Sequence, residues 1–155
     1  MGDGRWPEFD EEIFRRTPEE TRARARELDE LTTKGEADDE LALEQMRLVW
    51  PAYFAEPESA PPMPELRLAA ERSAEMYRSI VEALPALEAG LPGIRVKVGF
   101  VHGARSPMPV AASTDAAERI PNAWVDVVDG AGHFLWYEAP GAVRASLRRL
   151  TDASR

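Results

Sequence analysis

No cysteine occurs among the 155 residues, which excludes disulfides, thiolate metal sites and a cysteine nucleophile. Histidine is nearly as scarce: His102 and His133 are the only two, too few for a histidine-rich metal centre, and neither a metal nor another cofactor is expected. No apolar run approaches the roughly 20 residues of a membrane span, and the N-terminus is polar and acidic rather than a secretory leader. These absences predict a soluble, cytoplasmic protein with no membrane partner. Basic residues are also in short supply, 19 Lys and Arg against 28 Asp and Glu, for a net charge of −9. Residues 1–90 hold 22 acidic and 11 basic side chains (net −11), and residues 91–155 hold 6 and 8 (net +2), which together give −9. The acidic part is a poor partner for nucleic acid, and the break near residue 90 predicts two structural layers.

What the chain does hold is 44% hydrophobic residues, enough for one globular domain with a real core. The first 90 residues read as helix throughout. Glu8 to Arg16 shows Phe9, Ile13 and Phe14 on one side, and Thr17-Pro18-Glu19-Glu20 predicts a second helix capped by Thr17, with Pro18 in its first position, running to Lys34 and stopping at Gly35. A third is expected from Asp38 to Phe54, kinked or ended by Pro51. Its Met46, Trp50, Tyr53 and Phe54 are either helix-packing core or an aromatic wall facing a substrate. Pro57, Pro61, Pro62 and Pro64 predict a stiff extended connection, after which Glu65 to Leu84 returns as a long helix.

Beyond Leu91-Pro92-Gly93 the pattern changes. Ile94 to Val101 reads as a strand, His102 to Pro109 as a loop, Val110 to Ile120 as a helix, Ala123 to Val128 as a strand and Pro140 to Leu150 as a closing helix. Strand, helix, strand, helix implies a parallel sheet. The second strand runs into Asp129-Gly130-Ala131-Gly132-His133-Phe134, where glycines permit a sharp turn that holds His133 out on a rigid mount. His133 is then either a catalytic histidine or a loop residue that caps the following helix.

Ile94 to Leu150 resembles the last two strand-helix units of the α/β-hydrolase family: a strand ending in His102-Gly103, Ile120-Pro121-Asn122-Ala123 before the last strand, then Gly130-Ala131-Gly132-His133-Phe134 and Glu138-Ala139-Pro140. The helical residues 1–90 resemble the cap that this family inserts ahead of this terminal portion. The resemblance implies a mostly helical α/β protein, with residues 1–90 as cap and 91–155 as the β-α-β-α end of the core sheet. It also implies His133 as general base of a serine hydrolase acting on an ester or amide-type substrate, with Trp50 and Phe54 of the cap as substrate-binding residues.

Two features depart from the family pattern. None of the serines lies in Gly-x-Ser-x-Gly, and no strand is predicted before residue 94, so the chain looks like the truncated end of a hydrolase that lacks its nucleophile elbow and oxyanion hole. Where the family places its acid, this chain has Ser106, and a hydroxyl brings no full negative charge. A displaced acid would fall near the N-terminus, with Asp3 as the candidate; Asp126 and Asp129 rank below it because they suit a strand face and a turn. His102 is expected to be packed, Arg105 to solvate its loop or meet a substrate carboxylate, and Trp136 and Tyr137 to pack beneath His133. The open edge of Ile94–Val101 invites a complementing N-terminal half or a second copy of the chain. The expected ligand is a small-molecule substrate or apolar ligand, and the alternatives to a hydrolase are a non-catalytic binding module and a degenerate fragment.

Overall fold

The computed structural model describes residues 5–152, so Asp3 lies outside the described residues. Helix α1, Trp6–Arg16, buries Phe9, Ile13 and Phe14, the side that its i, i+4, i+5 spacing creates. Thr17 follows, but it does not cap the next helix as expected. Its buried hydroxyl donates back to the Ile13 carbonyl at 2.9 Å, closing α1, and Pro18 takes the cap position of α2, Glu19–Lys34, one residue later than predicted. A hydroxyl committed to the helix behind it is not available to the helix ahead.

Helix α3, Asp39–Val49, opens with the Asp38 side chain accepting from the Leu41 N–H. It gives way at Pro51 to a 3₁₀ turn, Trp50–Tyr53, so the predicted run to Phe54 ends early. Helices α2 and α3 pack together, with Leu28 and Ala25 fully enclosed. Arg24 grips both oxygens of Glu44 at 2.9 Å across this pair, and Gln45 donates to Asp29 at 2.7 Å. The predicted helix over Glu65–Leu84 is displaced: α4 spans Ala70–Gly90. The Asp39 carboxylate, from the start of α3, accepts the Ala70 N–H at 2.8 Å and sets where α4 begins. The helix also runs on through Pro85, leaving Met76 and Leu87 exposed.

The sheet is small. Strands β1, Val98–Gly103, and β2, Ala123–Val128, pair in parallel with Val98 opposite Ala123 and Gly103 opposite Val128. Helix α5, Val110–Arg119, connects them, and the one-turn α6, Leu135–Glu138, and α7, Pro140–Asp152, follow. Strand β1 starts at Val98 rather than Ile94 because the Ile94 N–H closes a turn onto Leu91 at 3.1 Å. Among the described residues the protein is mostly helical with this one two-stranded parallel sheet, and no helix is long and apolar enough to cross a membrane.

The core joins both regions. Phe9, Ile13, Phe14, Ala25, Val49 and Ala52 form its centre, and Met108, from the loop after β1, packs against them with Met46 and Tyr53. Leu28, fully enclosed between α2 and α3, is expected to lose about 2–5 kcal/mol of stability as Leu28→Ala, read as a lower urea midpoint at unchanged slope. Leu147→Ala on the exposed side of α7 is expected to stay within about 0.5 kcal/mol of wild type.

Candidate functional site

Register places the ends of β1 and β2 side by side, and both loops leave from there. The Ala104 N–H donates to the Val128 carbonyl and the Arg105 N–H to the Ala131 carbonyl, both at 2.9 Å, so the loop after β1 lies directly on the loop after β2. The two backbones touch where they cross. A methyl group on Gly103 would sit 2.0 Å from the Gly132 carbonyl oxygen, and one on Gly132 would sit 2.5 Å from the Ala55 nitrogen. Only glycine fits in both places.

The Glu138 carboxylate secures this mount from the next helix. Its Oε2 accepts the Gly132 N–H and its Oε1 the Ala55 N–H, each at 2.8 Å. The His133 N–H in turn donates to the Tyr53 carbonyl at 2.8 Å. The histidine loop is thus fastened to the end of the 3₁₀ turn from two directions.

The imidazole of His133 lies among Phe9, Tyr53 and Phe134, with ring centroids 5.8, 5.5 and 5.6 Å away. Its Nδ1 is 2.9 Å from the Ser106 hydroxyl. That hydroxyl also accepts the Met108 N–H at 3.1 Å, while the Met108 carbonyl meets His102 Nε2 at 2.9 Å and His102 Nδ1 meets the Ser113 hydroxyl at 2.8 Å. The Met108 backbone thus links the His133–Ser106 pair to the His102–Ser113 pair. Burial lowers the His133 pKa, with the neighbouring His102 as a second cause, so the neutral ring is favoured. The Tyr53 phenol is pushed up to about 12 by burial and by the nearby Asp10 and Asp29, and stays protonated.

Of the residues singled out by sequence, Ser106 and His133 come together and the others divide. Asp126 is occupied elsewhere, accepting from Trp124 Nε1 at 2.9 Å, Ser146 at 3.0 Å and Arg149 at 2.7 Å. Asp129 is exposed in its turn. His102 is buried, as expected, and Arg105 forms an ion pair with Glu56 at the surface. Trp50 and Phe54 are buried against Phe134, Trp50 at a centroid distance of 4.9 Å with its indole N–H donating to the Pro61 carbonyl at 2.7 Å. Trp136 and Tyr137 are not packed beneath His133. The single turn of α6 buries Leu135 and leaves Trp136 61% and Tyr137 47% exposed, and Phe134, stacked on Tyr53 at 5.0 Å, takes the place expected of them.

Sequence reasoning noted Glu138 only as part of a motif. Its hold on Ala55, 83 residues away, had no local signal; the nearer clue was an acidic residue six positions beyond a glycine turn that needs its N–H satisfied. Among the described residues no group of three His, Asp or Glu side chains is placed to hold a metal ion. Comparison with protein families, curated proteins and solved structures yields no match.

Two outcomes follow from this geometry. Glu138→Gln keeps the shape but leaves one N–H facing an amide N–H₂, and is expected to destabilise the fold by about 1–3 kcal/mol in chemical denaturation. Because the folded-state pKa of His133 is lowered from 6.5, the unfolded chain takes up that proton first on acidification. The stability that this difference provides is fully present above about pH 6.5 and is lost as the pH falls toward the folded-state value. Wild-type midpoints should therefore fall more steeply than those of His133→Gln between about pH 7 and about pH 5.

Proposed function

We propose that this chain supplies the cap and the histidine-bearing end of an α/β-hydrolase-type site for ester or amide-type small molecules, and that it is silent toward such substrates without a nucleophile from another segment. The observation that carries the reading is the presentation of His133. Its loop is fixed by Glu138 and by the Tyr53 carbonyl, its Nδ1 is held by Ser106 in the loop after β1, and its Nε2 has no described partner. A general base needs that combination of a rigid mount, one oriented nitrogen and one free nitrogen.

In the assembled site, with the ring in its Nδ1–H tautomer, a serine hydroxyl attacks the substrate carbonyl, His133 Nε2 takes its proton and returns it to the leaving group, and backbone N–H donors hold the oxyanion. All of these are protein groups, so the scheme calls for no cofactor. The sequence has no Gly-x-Ser-x-Gly, so the serine and the oxyanion donors must come with a complementing segment. The outer edge of β1, which pairs with no strand among the described residues, is where such a segment would join the sheet. The composition and the lack of an apolar span fit a soluble cytoplasmic setting.

A second reading, a non-catalytic binding module for an apolar small molecule, is favoured by one observation. The group that orients His133 is an uncharged hydroxyl, which stabilises a developing imidazolium less than a carboxylate does. Both readings predict that the purified chain does not hydrolyse p-nitrophenyl butyrate above the rate of buffer. Hydrolysis that disappears in His133→Ala would overturn the proposal that a nucleophile has to be supplied.

A further inference from the structure

We infer that Ser106 donates its hydroxyl proton to His133 Nδ1, so that in the chain by itself the ring rests as its Nε2–H tautomer and offers a hydrogen-bond donor to an acceptor oxygen of a ligand, as the binding reading above requires. Action as a general base at Nε2 needs the ring to switch to Nδ1–H. The argument is an accounting of one buried hydroxyl. Ser106 is buried and has one hydrogen and two lone pairs. The Met108 N–H occupies one lone pair, and His133 Nδ1 is the only other described partner of the oxygen. Were Nδ1 the donor, both lone pairs would be filled and the hydroxyl hydrogen would have no described acceptor, a state that buried polar groups avoid. With Ser106 as donor every group is satisfied.

A carboxylate in this position has no proton to give and would impose the opposite tautomer, Nδ1–H, which leaves Nε2 free to act as a base. Ser106 therefore reverses the sense of the site as well as removing a charge. His102, on the other side of the loop, takes the same tautomer for its own reason. Its Nε2 faces the Met108 carbonyl, which can only accept, so that nitrogen carries the proton and the Ser113 hydroxyl donates to Nδ1. Both histidines thus bind the segment 106–108 and share one tautomer.

The Nε2 of His133 has no described partner. No described side-chain nitrogen is both fully buried and unpartnered, so part of its surface is open to solvent. Phe9, Tyr53 and Phe134 surround the ring with aromatic surface. A carbonyl or carboxylate oxygen carried on an apolar group is the chemistry that fits. The tautomer assignment stands on hydrogen bonding alone, while its consequence for catalysis rests on the hydrolase-type reading.

The test is a long-range proton–nitrogen correlation spectrum of the full, nitrogen-15-labelled chain, recorded well above the imidazole titration range. Both histidines are expected as Nε2–H, with His133 in about tenfold or greater excess over its other tautomer. Ser106→Asp should convert His133 to Nδ1–H and leave His102 unchanged. Methyl butyrate, as the carbonyl probe, should shift His133 Nε2–H in the wild type. A wild-type His133 found as Nδ1–H would overturn the assignment even if the aspartate variant failed to fold, and a His133 signal indifferent to saturating methyl butyrate would overturn the donor site. Ester hydrolysis read on the same sample judges the hydrolase-type proposal separately, because tautomer populations do not depend on turnover.

Discussion

Two backbone N–H groups that arrive from opposite parts of the chain, those of Ala55 and Gly132, meet on the single carboxylate of Glu138, and the arrangement around His133 depends on that meeting. Each would otherwise be a donor left without a partner in a crowded crossing where no side chain fits. A carboxylate is suited to the position because it accepts at both oxygens and brings no hydrogen of its own. The Tyr53 carbonyl, two residues before Ala55, then takes the His133 N–H, so the histidine is fixed by the helical region as much as by its own loop.

The same convergence explains how an acidic helical region and a nearly neutral α/β region form one core. Met108 leaves the loop after β1 and packs against the core cluster of the helical region, while its backbone ties Ser106 to His102. Phe134 does the equivalent from the other loop, seated between Trp50 and Tyr53. Each loop contributes one apolar anchor and one polar residue to the site, and the anchors leave little freedom for the polar residues to move apart. That coupling of packing to hydrogen-bond geometry keeps a neutral serine and a neutral imidazole together without a charge to attract them.

Where helices end on their own chemistry, the chain is legible one residue at a time. Phe9, Ile13 and Phe14 announce α1, Gly35 stops α2 and Asp38 starts α3. Two of the discrepancies come from a partner distant in sequence, and the third, at Thr17, from burial beside the carbonyl four residues back. Helix α4 begins at Ala70 because Asp39, on another helix, accepts its N–H. Thr17 turns back to Ile13 because its hydroxyl is buried there. Trp136 points outward because Phe134 already fills the space against Tyr53.

Local rules were enough for the element types, the glycine mount and the presence of His133 at its tip, because propensity, turn chemistry and residue identity act over a few positions. Whether Ser106 would stand next to His133, which residue would hold Gly132, and which aromatic rings would face the imidazole were decided by the tertiary structure. The Ser106–His133, Tyr53–His133 and Ala55–Glu138 contacts span 27, 80 and 83 residues of chain, separations over which no pattern in the sequence specifies a distance, and only packing of the whole core sets them.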